Sequence, residues 1–208
     1  MYKRQVYLDI SGNETYTWTP DDRVPVGNVL PDAVGGINNT FTYKGFDFSF
    51  LFAFVIGGDI YDSSSKRQLG VMSIRDGLWN MTPHIFDRWQ QLGDNSRYAR
   101  LTTENANLGS ETPWINTDLW LHDGSFLRLR NVTFGYTFPE AKVKNWKLGG
   151  LRIYAVGTNL LTFTKFPGLD PEIARDFEDA TDRNMSPNIT YLTPPQERTF
   201  SIGIDVQF

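Results

Sequence analysis

The clearest pattern in the chain lies at residues 46–56. Phe46, Phe48, Phe50, Phe52, Phe54 and Ile56 fall on one parity; Asp47, Ser49, Leu51, Ala53 and Val55 fall on the other. Successive side chains of a strand point to opposite faces, so this segment is predicted as a strand with one wholly apolar face. Just before it, at 36–44, Ile37, Phe41 and Tyr43 alternate with Asn38, Thr40 and Thr42. Lys44-Gly45 between them reads as a tight turn, and the two segments as a hairpin.

Three more segments alternate. In 125–138, Leu127 and Leu129 are apolar on one parity, and Val132, Phe134, Tyr136 and Phe138 on the other. One extra residue flips every later side chain, so a bulge is predicted near Arg130-Asn131. In 151–163, Leu151, Ile153, Ala155, Leu161 and Phe163 share a parity, with Gly157 and Asn159 between them. In 199–208, Phe200, Ile202, Ile204, Val206 and Phe208 face one way; Ser201, Gly203, Asp205 and Gln207 face the other. The predicted fold class is all-β and antiparallel, with strands near 36–44, 46–56, 125–138, 151–163 and 199–208.

The connections differ in kind. Residues 6–34 are polar and turn-rich, and 139–150 is a short turn with three lysines. The stretches 59–124 and 164–198 are long. Within the first, 83–91 is predicted as a short helix with Thr82 as its N-cap.

Alternating strands suit two environments. A soluble sandwich turns its apolar face inward, and an outer-membrane barrel turns it to lipid. Strands of about 9–11 residues, the length that crosses a bilayer when tilted, favour the barrel. So does the alternation of short and long connections, which a barrel sorts to opposite sides of the membrane. The chain also finishes on Phe208, in phase with the apolar face, and a terminal aromatic on a final amphipathic strand is the expected assembly signal. The longest wholly apolar run, 50–56, has seven residues, against the roughly 20 that a spanning helix needs.

Composition narrows the chemistry. Without cysteine, disulfides, zinc–thiolate sites and cysteine nucleophiles are excluded. Two histidines, His84 and His122, and a net charge of −4 leave little for a histidine-based metal site or for nucleic acid. No phosphate loop, nucleophile elbow or HExxH motif is present. No enzyme activity, metal or cofactor is expected.

Several phrases resemble a known family. They are Gly35-Gly36-Ile37-Asn38-Asn39-Thr40-Phe41, Tyr43-Lys44-Gly45-Phe46-Asp47 and Gly58-Asp59-Ile60-Tyr61. Asp123-Gly124-Ser125-Phe126-Leu127-Arg128-Leu129-Arg130-Asn131-Val132-Thr133-Phe134-Gly135-Tyr136 follows. Then come Asn159-Leu160-Leu161-Thr162-Phe163-Thr164-Lys165-Phe166-Pro167-Gly168-Leu169-Asp170-Pro171-Glu172 and Arg198-Thr199-Phe200-Ser201-Ile202-Gly203-Ile204. In this order they look like the C-terminal part of SusC/RagA-family TonB-dependent outer-membrane transporters, over residues 20–208. The resemblance implies a transmembrane β-barrel of about 22 strands with a plugged lumen, of which five strands are about a quarter of the wall. It implies a multi-pass location in the outer membrane and uptake of glycans or peptides. The implied partners are a SusD-like surface lipoprotein and the TonB complex, which would act through an N-terminal part, including the plug, that this sequence lacks. Residues 1–5 resemble the translation of a transposon-type sequencing adapter. They are read as a non-native scar, with 6–208 as the receptor portion, so the lack of a signal peptide carries no information.

On this reading Phe46, Phe48, Phe50, Phe52, Phe54, Phe200, Ile202, Ile204 and Val206 face lipid, and Phe208 is the assembly signal. The strand charges Asp47, Arg128, Arg130, Arg152 and Asp205 belong on the lumenal face or near an interface. An arginine facing lipid at mid-membrane costs about 2–4 kcal/mol. Trp146, among the turn lysines, fits an interfacial anchor. Trp114 and Trp120 in the long loop, and Asp170 and Glu172 in the second, are candidate substrate or partner contacts. Against these stand plainer readings: tryptophans as packing anchors and 170–182 as a solvated acidic loop. Asp9, Ser11, Asn13 and Glu14 faintly resemble a calcium loop, but the glycine is misplaced and the bidentate glutamate missing, so a solvated turn is favoured. The rival functions are a soluble all-β carbohydrate-binding module and a passive porin.

Overall fold

The computed structural model describes residues 7–15, 19–68, 81–96, 98, 117–172, 188–190 and 194–208. Residues 1–5, Trp114 and the whole of the acidic run after Glu172 lie outside the described residues.

Five long strands dominate: β1 (Pro31–Tyr43), β2 (Phe46–Gly57), β3 (Phe126–Thr137), β4 (Gly150–Thr164) and β5 (Thr199–Gln207). Each pairs antiparallel with its sequence neighbour, in one five-stranded meander. β1 starts five residues ahead of its sequence-based start at 36. The cause is Pro31 and Asp32, whose turn-forming character conceals their pairing beside Gly57, with an irregularity between Pro31 and Ala33. Among the described residues β1 and β5 are each paired on one side, so the sheet is open.

The connections follow from local chemistry. Lys44 and Gly45 join β1 to β2 with φ of 47° and 88°, the double left-handed geometry that suits the twist of a two-residue hairpin. The β3–β4 connection contains a short helix, Glu140–Val143, and a 3-10 turn, Lys144–Trp146. Val143 is fully buried there, and Gly149 N–H donates to the Gln207 carbonyl of β5 at 2.7 Å.

Two bulges lie side by side. Leu51 pairs with Asn131 and Phe52 with Leu129, which leaves Arg130 without a partner in β2. Opposite Arg130, β4 inserts Asn159 and Leu160 between Thr158 and Leu161, with Asn159 at φ 53°. The first matches the predicted parity change.

The chain divides into two units, and the sheet belongs to the one formed by Asn28–Ile60, Asp123–Ile173 and Pro194–Phe208. The other is formed by Met1–Gly27, Tyr61–His122 and Ala174–Thr193, and its described residues hold short elements. In it Asp62 is buried, caps the helix Ser63–Gln68 by accepting from Ser65 N–H at 3.0 Å, and accepts the Thr190 hydroxyl at 2.8 Å. The predicted helix at 83–91 is a 3-10 turn, Pro83–Asp87, and Thr82 makes no side-chain cap. Pro83 starts the turn but nothing sustains it: Arg88 returns to extended backbone, and Trp89 N–H bonds the Tyr98 carbonyl at 2.9 Å.

Candidate functional site

Register fixes what each face of the sheet carries. Across it run the rows Tyr43–Phe46–Tyr136–Ile153–Ile204, Phe41–Phe48–Phe134–Ala155–Ile202 and Asn39–Phe50–Val132–Gly157–Phe200. Beyond the bulges follow Ile37–Phe52–Leu129–Leu161 and Gly35–Phe54–Leu127–Phe163. This face is apolar from edge to edge apart from Asn39. It is also uncovered: Phe200 and Ile202 are 80% and 83% exposed, and Ile37, Phe41, Phe46, Phe134, Leu161, Phe163 and Ile204 are exposed as well. Phe50, Phe52 and Phe54 are half-buried by their neighbours; Phe50 packs on Phe48 at 5.9 Å and edge-on against Phe52 at 5.6 Å.

Burying such a side chain is worth about 1.5–3 kcal/mol over leaving it in water. A contiguous uncovered surface of this kind marks an interaction site. Aromatics collect at the end with the short connections. Phe46 packs at a tilt against Tyr136 at 4.5 Å, Tyr136 meets Phe138 edge-on at 4.9 Å, and Phe138 meets Trp146 at 6.1 Å. Lys44 Nζ lies 5.1 Å from the Tyr43 ring.

The opposite face is mixed and polar, with the rows Thr42–Asp47–Gly135–Tyr154–Gly203 and Thr40–Ser49–Thr133–Val156–Ser201. All five strand charges singled out in the sequence are engaged in ion pairs. Arg152 on β4 donates to Asp47 on β2 through Nη2 at 2.7 Å and Nε at 3.1 Å, and its Nη1 lies 3.5 Å from Asp205 on β5. The guanidinium also sits 4.8 Å from the Tyr154 ring.

The second cluster joins β3 to the segment after β4. Arg128, 2% exposed, donates through Nη2 to Asp170 Oδ1 at 2.5 Å, and its Nη1 is 3.1 Å from Glu172. Arg130 Nη2 pairs with the other Glu172 oxygen. Asp170 is buried and also accepts from Glu172 N–H at 2.9 Å and Gln196 N–H at 3.0 Å. Asp170 and Glu172, candidate contacts in the sequence, are thus occupied by two arginines. Nothing in the spacing announced this, because the partners stand 42 residues apart.

The remaining candidates are spread out. Trp120 is half-buried and stacked on Tyr98 at 6.0 Å, and Trp89 is buried. Phe208 is 99% exposed. His84 is exposed on its 3-10 turn. Asp9 accepts from Ser11 and Asn13 N–H at 2.9 and 2.8 Å, an Asx turn. Among the described residues no group of three or more potential metal ligands forms, and no helix is long and apolar enough to cross a membrane.

A sheet with one uncovered apolar face and one polar face carrying ion pairs fits a segment of barrel wall. No family model matches the chain. TonB-dependent receptor P39 of Formosa agariphila is 31% identical over 193 residues, 90% of this chain and 17% of that protein. TonB-dependent receptor P3 of the same organism is 29% identical over 204 residues, 98% of this chain and 19% of that protein. TonB-dependent receptor SusC of Bacteroides thetaiotaomicron is 27% identical over 205 residues, 98% of this chain and 17% of that protein. In fold, the chain is similar to the RagAB peptide importer in its open-open state, with a TM-score of 0.74 at 23% identity over 99% of this chain and 20% of that one. The chain belongs to the TonB-dependent receptors. It spans under a fifth of the length of the curated relatives it matches.

Proposed function

We propose that the chain is a wall-and-loop segment of an outer-membrane nutrient transporter driven by TonB. The observation that carries this reading is the apolar face, uncovered across all five strands. Lipid satisfies such a face, and a water-filled or plugged lumen satisfies the polar one. Phe46, Phe48, Phe50, Phe52, Phe54, Phe200, Ile202, Ile204 and Val206 then contact acyl chains, and the aromatics around Trp146 lie at the membrane–water boundary. Outer-membrane barrels carry short turns on the periplasmic side and longer loops outside. That assigns Lys44-Gly45 and the 138–149 connection to the periplasm, and 58–125 and 165–198 to the cell surface.

SusC and RagAB supply the finer reading. The transported molecule is a glycan or a peptide, RagAB being a peptide importer. The surface partner is a SusD-like lipoprotein that meets the long loops, with Trp114 and Trp120 as aromatic contacts. The chain contributes binding surface and wall rather than catalysis. The test is protease access on intact cells expressing the full-length receptor. A cleavage site inserted after Leu92 is expected to be cut from outside, and one after Lys144 to be protected. The reverse pattern overturns the topology, and cleavage at both sites in a protein that stays soluble without detergent favours a soluble module.

A further inference from the structure

The Arg128–Asp170 pair is more elaborate than wall-building requires. β3 is held along its length by ladders to β2 and β4, so the sheet does not depend on a buried charge. What the pair does hold is the chain on either side of residues 173–193. Asp170 receives the amide of Glu172 just before that segment and the amide of Gln196 just after it. The Arg128 guanidinium fixes this carboxylate to the polar face of β3.

Three further side chains serve the same end. The Thr164 hydroxyl donates to the Ser125 carbonyl at 2.8 Å and accepts from Phe166 N–H at 3.0 Å, which pins the start of the outgoing stem. Bulged Arg130 reaches Glu172 on that stem, and Asn159 in the facing bulge donates through Nδ2 to the Glu197 carbonyl on the returning stem at 3.2 Å. Bulges re-aim side chains that a regular ladder would spend on the sheet; here both are aimed at the two stems of one excursion. Phe166, Asp170 and Pro171 are buried in this strap while Leu169 stands exposed.

We propose that Asp170 is a positioning residue, a charge latch that clamps the two stems, 165–172 and 194–198, to the lumenal face of the wall and so fixes the two points between which residues 173–193 run. This rests on the transporter reading. The latch is electrostatic and therefore separable from the wall: replacing a buried ion pair by apolar side chains of similar size commonly leaves a fold intact, whereas the stems have no ladder of their own to fall back on.

The test uses the full-length receptor, purified from the outer membrane in detergent, as wild type, Asp170→Asn and the double variant Arg128→Met/Asp170→Leu. Hydrogen exchange is followed in peptides covering 165–172, 194–198 and β3–β4, and cleavage is timed at a protease site inserted after residue 180. In both variants the stem peptides are expected to exchange about tenfold faster or more and the inserted site to be cut faster, with β3–β4 as protected as in wild type. Two outcomes overturn the latch: stem exchange and cleavage unchanged in the double variant, or β3–β4 losing protection together with the stems, which would make the pair part of the wall. A wild-type protein that never reaches the outer membrane overturns the transporter reading instead.

Discussion

The guanidinium of Arg152 on β4 grips the carboxylate of Asp47 on β2 in a two-pronged bridge, 2.7 and 3.1 Å, across the whole width of β3. The residue beneath the bridge is Gly135. A Cβ there would stand 2.5 Å from Asp47 Oδ1 and 2.8 Å from Arg152 Nη2. Glycine at this point is thus a matter of space on one face, since its strand ladder is regular. Gly135→Ala is expected to break the bridge as completely as Asp47→Asn does, each lowering stability by about 1–3 kcal/mol. The double variant should cost little more than either single change. Denaturant unfolding of the full-length receptor in micelles measures this; additive losses would show that Gly135 and Asp47 act separately.

Gly45 is required for a different reason. Its φ is 88°, and a Cβ would approach the Thr137 carbonyl to 2.6 Å, the same carbonyl-bearing residue whose N–H bonds the Gly45 carbonyl at 2.7 Å. Gly45→Ala therefore meets both backbone strain and a backbone collision, for which no side-chain rotamer compensates. The expected loss is about 1–3 kcal/mol, read as faster exchange of the Tyr43 and Phe46 amides and less receptor in the membrane. Lys44→Asn, which tolerates the left-handed region better, should be neutral or stabilising in the same assay.

Legibility followed the arithmetic of parity. Arg130 is a single inserted residue, so it switches the apolar phase between Leu129 and Val132, and alternation alone exposes it. Asn159 and Leu160 are two inserted residues, so Ile153 and Leu161 stay in phase across the bulge and the pattern runs on as if unbroken. The asparagine at 159 is the available clue, since asparagine accepts the left-handed φ found there more readily than most residues. The ion pairs were invisible for another reason. Arg128 looked like a lone strand charge and Asp170 like one acid among several in a polar loop, and only the fold brings them together. The apolar face, by contrast, needs no long-range information, because every strand states its own share.

Acid should loosen the short elements near the N-terminal end of the described chain. The Asp9 carboxyl lies below the ordinary carboxylate range, chiefly because it accepts the Asn13 amide and side chain, then the Ser11 amide. Asp22 lies below it through the amides of Thr19 and Ile10 and the Thr19 hydroxyl. A carboxyl with a depressed folded pKa stabilises at pH above its unfolded value, about 4, and that contribution is lost as pH falls through the lower folded value. Hydrogen exchange of 7–22, corrected for the intrinsic rate, should be flat from about pH 7 to 5 and accelerate below about pH 4. Acceleration already at pH 6 would count against these bonds.

The face assignment of β2 is the claim on which the rest stands, and neighbouring residues test it. Phe50 lies mid-strand in the row Asn39–Phe50–Val132, and Ser49 in the row Thr40–Ser49–Thr133. An arginine at either site meets the same backbone, the same strand and the same neighbours in sequence; what differs is the medium. On the lipid side at mid-membrane it costs about 2–4 kcal/mol, and on the lumenal side close to nothing. That difference corresponds to roughly thirty-fold to almost a thousand-fold in an insertion equilibrium, since each 1.4 kcal/mol is tenfold. Phe50→Arg in the full-length receptor should therefore sharply reduce the heat-modifiable barrel recovered from the outer membrane, while Ser49→Arg leaves it near wild type. In a watery sandwich with Ser49 on the solvent face, Phe50→Arg would fail by losing core packing, so the loss alone does not discriminate. Phe50→Leu and Ile202→Arg complete the test. A barrel tolerates the first and rejects the second, because Ile202, 83% exposed at the far edge of the same face, would turn its new charge to lipid. Normal insertion of Ile202→Arg would remove lipid from that face and with it the transporter reading.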